Sequence, residues 1–150
     1  MAKITISPKL KTVQRKIEKN WVDSTKTLVK KLILERIGKG LSPVKGKGAY
    51  QKYSDSYKKG IRQGRYSSFS KRIRPINLEL TGKMLRSIKA RVSGTTISVW
   101  FTDKKAKWHN KGMGRNPERR MIPLENEVFS SKITKELEKD LEKIIKKAFK

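Results

Sequence analysis

A long helical pattern at the start of the chain sets the strongest limit on the fold. Ser7 is a good helix cap, Pro8 suits the first helical position, and Gly38 suits the residue after the last turn. A helix of about thirty residues extends about 45 Å, which is longer than a small domain needs. We therefore expect a long amphipathic helix whose stripe is buried within the domain or shared with another subunit: Leu10, Val13, Ile17, Trp21, Leu28, Leu32 and Ile33.

A second helical pattern closes the chain. It spans about Ser131 to Phe149, and its opposite face carries Glu and Lys at spacings that support a helix. Its apolar stripe consists of Ile133, Leu137, Leu141, Ile144, Ile145 and Ala148. The chain thus has an amphipathic helix at each end.

The middle of the chain predicts a small sheet. A short helix from Thr81 to Ile88 precedes two strands, Lys89 to Ser93 and Thr95 to Thr102, joined tightly at Gly94. Apolar residues alternate along both strands, which predicts one buried face: Ala90, Val92, Ile97, Val99 and Phe101. Trp100 falls on the outward face, so we expect another helix or a partner to cover it. Met121 to Pro123 then predicts a short strand or extended turn.

These elements predict one α+β domain over residues 1–150. In it, long N- and C-terminal helices cover a small antiparallel sheet, formed by the hairpin plus the short strand, and a basic extended arm lies at about 39–75. The chain has no cysteine, which excludes disulfides and thiolate metal sites. No segment approaches the roughly 20 apolar residues that cross a bilayer, so we expect no membrane partner.

Charge is concentrated in the basic arm and just after it. Between Lys39 and Arg91 there are 15 Lys and Arg but only Asp55 and Glu79, so this third of the chain carries half of the net charge of +26. Such a field attracts a polyanion or an acidic protein surface. The candidate contacts for DNA or an acidic partner are Lys45, Lys47, Lys52, Lys58, Lys59, Arg62, Arg65, Lys71, Arg72 and Arg74.

The aromatic residues of the arm allow two interpretations. Tyr50, Tyr53, Tyr57 and Ile61 lie three to four apart, so a short helix around Ser54 to Arg62 could pin the arm onto the core. Alternatively, aromatic residues among these cations could stack on nucleic-acid bases: Tyr50, Tyr53, Tyr66 and Phe69. The second interpretation predicts a sequence-independent nucleic-acid-binding protein.

Few residues suggest catalysis. His109 is the single histidine, and a metal-dependent nuclease would need Asp103 and Glu118 to approach it. The glycines from Gly40 to Gly48 do not match the spacing of a phosphate-binding loop. Arg119 and Arg120 suit bridging to backbone carbonyls or carboxylates, within the chain or between subunits. We expect no enzymatic activity, no cofactor, no metal and no small-molecule substrate.

Several short motifs lie between the helix before the hairpin and the step before the last helix. Their residues are Leu80, Thr81, Gly82, Leu85, Ile88, Trp108, His109, Gly112, Arg120 and Pro123. These motifs resemble the tailed-phage virion morphogenesis proteins, the head-tail joining or tail completion family. The upstream segments Ser42 to Gly46 and Tyr53 to Tyr57 are similar to phage neck proteins of this kind, so the resemblance covers roughly 41–124. Ala106 to Trp108 and the step from Arg120 to Pro123 depart from the usual family pattern.

The resemblance implies a structural virion protein of the neck or head-tail junction, assembled in the host cytoplasm. Such a subunit would form a homo-oligomeric ring and contact portal, connector and tail proteins around the DNA channel. Packaged DNA would then be a further partner of the basic residues.

Overall fold

The computed structural model describes residues 8–66, 72–78, 82–93, 96–114 and 116–149, and side chains within the first helix from Thr12 onward. These ranges contain five α-helices and two β-strands. The helices are α1 (Pro8–Gly38), α2 (Asp55–Arg62), α3 (Lys83–Arg86), α4 (Lys104–Lys111) and α5 (Ser131–Ala148). The strands are β1 (Ile88–Ser93) and β2 (Thr96–Phe101). The predicted α+β class, with long helices at both ends, is confirmed.

Helix α1 begins at the predicted proline and ends at the predicted glycine. Its fully buried row is Thr25, Val29, Ile33 and Ile37, each four residues from the next, so these side chains share one face. Leu28 and Leu32 pack beside this row and are only partly buried. The predicted stripe therefore contained Ile33 but missed the centre of the buried face. Ser7 and the side chain of Leu10 lie outside the described residues.

Helix α5 runs back along α1. Ile133 and Leu137 join the same core as Ile33 and Ile37, and the Ser24 hydroxyl donates to the Asp140 carboxylate at 2.5 Å. A late residue of α5 thus meets an earlier residue of α1, as in an antiparallel helix pair. Burial of these apolar side chains holds the two ends of the chain together.

The hairpin has the predicted inner face. Strands β1 and β2 are antiparallel, and their register pairs Ile88 with Phe101, Ala90 with Val99 and Val92 with Ile97. All six side chains on this face are buried or half-buried, while the intervening ones are exposed. The predicted tight turn at Gly94 lies outside the described residues. The predicted end of the preceding helix was wrong, because α3 ends at Arg86 and Ile88 already pairs in β1.

Two parts of the predicted layout need correction. Helix α4 was not predicted, although the Asp103 carboxylate caps it by accepting from the Lys105 N–H at 2.9 Å and Gly112 ends it with a positive φ of 67°. The short strand at Met121 to Pro123 does not form. The N–H groups of Met121 and Ile122 instead donate to the Asn110 side chain at 2.6 and 3.0 Å. These donors are therefore not available for the backbone hydrogen bonds that would pair the segment with a strand.

The first part of the predicted basic arm is packed on the domain, so residues 39–75 are called the basic segment from here on. Ser42, Pro43 and Val44 are almost fully buried, and Val44 forms an isolated bridge with Phe129 just before α5. Tyr50 and Tyr53 are also buried in the core. No helix in the described part of the chain is long and apolar enough to cross a membrane.

Candidate functional site

A buried arginine contacts its own loop, helix α4 and a distant segment near Ser42. The side chain of Arg120 is 8% exposed; it lies 3.0 Å from a Glu118 carboxylate oxygen and 3.2 Å from one of Glu127. Its guanidinium also donates to the Asn110 carbonyl at 2.6 Å, and its own carbonyl accepts from the Ser42 hydroxyl at 2.7 Å. We call these residues, together with Tyr50, the Arg120 cluster. Two carboxylates facing one buried guanidinium offset the cost of removing that charge from water.

The Asn110 side chain makes the hydrogen bonds that a neighbouring strand would otherwise make to Met121 and Ile122. Its side-chain oxygen accepts from the N–H groups of Met121 and Ile122, and its amide nitrogen donates to the Ile122 carbonyl at 3.1 Å. An asparagine has both an acceptor and a donor, so one side chain can satisfy three backbone groups. The loop that carries Arg120 is thereby fixed to α4.

Arg119 makes a second set of internal contacts. Its guanidinium donates to the Gln51 carbonyl at 3.2 and 3.4 Å and stacks on the Tyr53 ring, 5.0 Å from its centroid. Burial lowers the pKa of Arg119, while the same burial raises the pKa of Tyr53 to about 12. Each of the two adjacent arginines therefore fastens a different part of the basic segment. This matches anchoring within one chain, one of the two roles the sequence suggested.

The motif residues that carry the family resemblance have mainly structural positions. Gly82 has a left-handed conformation before α3, Leu85 is half-buried, and Ile88 starts β1. His109 is half-buried on α4, Trp108 is 40% exposed, and Pro123 is half-buried. A Cβ at Gly112 would lie 2.9 Å from the Glu118 nitrogen, so this turn has room only for glycine. Leu80 and Thr81 lie outside the described residues.

The predicted cationic contacts are spread over the surface and are not all free. Lys47 lies 3.0 Å from Glu118, and its hydrogen bond is the main reason that the pKa of this carboxyl is lowered. Lys58 is partly buried and lies 2.8 Å from Asp55. Lys71 lies outside the described residues. The others are exposed: Lys45, Lys52, Lys59, Arg62, Arg65, Arg72 and Arg74.

The aromatic residues of the basic segment mostly serve packing. Tyr50 and Tyr53 are 7% and 8% exposed, and Tyr53 meets Tyr57 edge to face with 5.0 Å between ring centroids. Tyr57 in turn contacts Tyr66 at 5.3 Å. Because their faces are occupied by the core, Tyr50 and Tyr53 cannot stack on a base. Phe69 lies outside the described residues.

His109 and Asp103 line one open cavity of about 790 Å³, together with Tyr53, Lys83 and Arg119. Glu118 does not line this cavity and instead pairs with Lys47 and Arg120. Over the described ranges, no three His, Asp or Glu side chains come together as a metal-binding group. The arrangement predicted for a nuclease is therefore not assembled by these residues.

The structure exposes two surfaces that bear on function, and only the second of them was predicted from the sequence. One is an apolar groove of about 690 Å³ between β2 and α5, bordered by Val99, Pro123, Val128 and Leu137. Large apolar side chains remain exposed near it and at the end of α5: Val128 at 60%, Ile145 at 39% and Phe149 at 67%. The other is the outward face of the hairpin, where Trp100 is 42% exposed. The period-two alternation that placed Trp100 outward was the signal for this face.

Comparison of the chain with protein-family models, curated proteins and solved structures finds no match.

Proposed function

We propose that this protein is a structural virion subunit of a phage neck or head-tail junction. It acts by oligomeric assembly, with no bond made or broken, and needs no cofactor. Its partners would be other copies of itself in a ring, together with portal, connector and tail proteins and packaged DNA.

The observation that carries this proposal is the position of Asn110, Gly112 and Arg120. Asn110 and Arg120 join α4 and the loop before α5 to Ser42, and Gly112 ends α4 where the Glu118 backbone passes close by. Several of the motif residues thus hold the domain together, which suits a protein that acts by fitting against its partners. A rigid domain loses less conformational entropy when it joins an assembly.

The exposed apolar residues supply a surface for assembly. Val128 borders the groove between β2 and α5, and Ile145 and Phe149 are exposed at the other end of α5. Apolar surface that stays exposed in a single chain is typical of protein interfaces. A protein with a net charge of +26 needs such contacts, because charge alone would keep its copies apart.

The test is a matched pair of substitutions that each add one positive charge to the same loop. Val128→Lys puts a cation on the groove, whereas Asn126→Lys adds the same charge two residues away at an exposed polar position. Sedimentation velocity and electron microscopy should find rings for the parent protein and for Asn126→Lys, and smaller species for Val128→Lys. A parent protein that stays monomeric and associates with no portal, neck or tail component would contradict the proposal.

A further inference from the structure

The outward face of the hairpin combines a large aromatic ring with cations. Along β1 the exposed residues are Lys89, Arg91 and Ser93, and along β2 they are Thr96, Ser98 and Trp100. We call these six residues the hairpin face. The sequence from Ser87 to Thr102 contains no Asp or Glu, so no acidic side chain of the hairpin offsets these charges.

The strand register places both cations beside Trp100. Lys89 is directly opposite Trp100, and Arg91 is opposite Ser98 and hence diagonal to Trp100. Directly opposed residues in an antiparallel pair have Cβ atoms about 5 Å apart, and diagonal neighbours are within reach of long and aromatic side chains. The ring is therefore flanked by an ammonium and a guanidinium on one sheet surface.

The hairpin stays in place beneath this surface. Its other face packs Ile88 and Val92 into the domain, while Thr102 and Asp103 donate backbone N–H groups to the Ser87 carbonyl and hydroxyl. The exposed side chains thus stand on a supported sheet. An exposed aromatic ring with neighbouring cations on such a surface is how several folds bind unpaired bases.

We infer that the hairpin face binds single-stranded nucleic acid without sequence preference. A base stacks on Trp100, and the adjoining phosphates contact Lys89 and Arg91. This inference assigns base stacking to Trp100, which is exposed, because Tyr50 and Tyr53 of the predicted stacking set are in the core. It goes beyond the proposed function and does not rest on it.

Charge favours nucleic acid over a second copy at this face. Two copies meeting through Lys89 and Arg91 would bring like charges together on chains that each carry +26. A phosphate backbone supplies the opposite charge at regular spacing, and every base offers a ring face for the indole.

The experiment follows the fluorescence of Trp100 alone, in a chain that carries Trp21→Phe and Trp108→Phe. The probe is an oligothymidine of about 20 nucleotides, which spans the site sizes of known single-strand binders. We expect the oligonucleotide to quench Trp100. In the parent chain, followed by fluorescence anisotropy of a labelled oligonucleotide, Trp100→Ala should weaken binding roughly 5- to 100-fold. Lys89→Ala with Arg91→Ala should reduce the salt slope by about 1.4, from two phosphate contacts on a single strand.

The matched control removes two exposed lysines elsewhere, Lys143 and Lys147 on α5, by substitution with alanine. The control should keep most of the affinity and all of the Trp100 quenching. An equal loss in both double variants would overturn the inference, because binding would then follow net charge alone. So would a loss confined to Lys59→Ala with Arg62→Ala, which would assign binding to the basic segment.

Two further probes decide the class of partner. A duplex of the same length that binds as tightly, whatever residue occupies position 100, would overturn the assignment to unpaired bases. Polyglutamate that quenches Trp100 equally and loses affinity in the same variants would overturn it in favour of an acidic protein surface. Ring formation, measured by sedimentation on the same variants, reports on the proposed function separately.

Discussion

At the scale of single residues, Gly112 and Gly114 share one backbone conformation and differ in their surroundings. Both have a φ of +67°, but a Cβ would lie 2.9 Å from the Glu118 nitrogen at Gly112 and meet nothing within 4 Å at Gly114. We expect Gly114→Ala to lower the free energy of unfolding by about 1 kcal/mol, from the left-handed conformation alone. Gly112→Ala should lower the free energy of unfolding by about 2 kcal/mol more than Gly114→Ala, because the Glu118 backbone must also move. Urea unfolding would measure both, and equal losses would contradict this account.

Asn110 is expected to be among the most sensitive polar positions. Asn110→Ala leaves the N–H groups of Met121 and Ile122 without their acceptor in a buried loop. Since each unsatisfied buried group costs about 1–3 kcal/mol, we expect a loss of about 2–4 kcal/mol in unfolding free energy. The Asn116 side chain donates to the Met113 carbonyl at an exposed site, so Asn116→Ala should change the free energy of unfolding by less than about 0.5 kcal/mol. A small loss at Asn110 would show that water replaces its bonds.

Ionisation of the buried Tyr53 should destabilise the fold at alkaline pH. Burial raises its pKa from 10.0 to about 12, and the nearby Arg119 opposes that shift. Folding therefore favours the neutral phenol. The stability that the neutral Tyr53 side chain contributes is complete below pH 10 and is lost as the pH rises toward 12. We expect Tyr53→Phe to flatten part of the fall in stability over this range. Parallel curves for the two proteins in alkaline urea titrations would contradict the prediction.

The residue contacts show what the sequence could and could not predict. Arg119 and Arg120 were identified as anchors because guanidinium geometry suits such a role. Their partners could not be predicted, since Gln51 and Ser42 are about seventy residues away in the chain and have no periodic signal. Only the folded chain brings these groups together.

At the scale of elements, the buried row of α1 contains one polar residue. Thr25 is fully buried, and its hydroxyl has no hydrogen-bond partner in the described part of the chain. Replacing it by the similarly shaped valine should raise the free energy of unfolding by roughly 1 kcal/mol, because an unpaired hydroxyl no longer leaves water. Thr27→Val, at an exposed position of the same helix, should bring no gain. Equal effects at the two positions in urea unfolding would contradict the explanation.

Elements with a strong apolar period were predicted well, and the others were not. The apolar period of residues such as Leu137 and Val92 predicted α5 and the two faces of the hairpin, and Pro8 and Gly38 predicted the ends of α1. Helix α4 was missed because Ala106 is its single buried apolar residue, so its only signals were a capping aspartate and a terminal glycine. The cavity beside His109 depends on how α3, α4 and the basic segment meet, which no local pattern records.

At the scale of the whole molecule, the apolar groove and the hairpin face lie on opposite sides of β2, because Val99 lines the groove and Trp100 points outward. The groove between β2 and α5 and the end of α5 expose apolar residues, whereas the hairpin face exposes Lys89, Arg91 and Trp100. This separation would allow one face to join subunits while another remains open to a polyanion. The proposed ring and the inferred nucleic-acid contact can therefore exist in one assembly.

The most direct test of the central claim is assembly of particles with and without this chain. Capsids and tails made in its absence should accumulate unjoined, and added purified protein should join them, as counted by electron microscopy. Mass spectrometry of the joined particles should then find the chain at the junction in a fixed number of copies. Complete particles that form at full yield and never contain the chain would contradict the proposal.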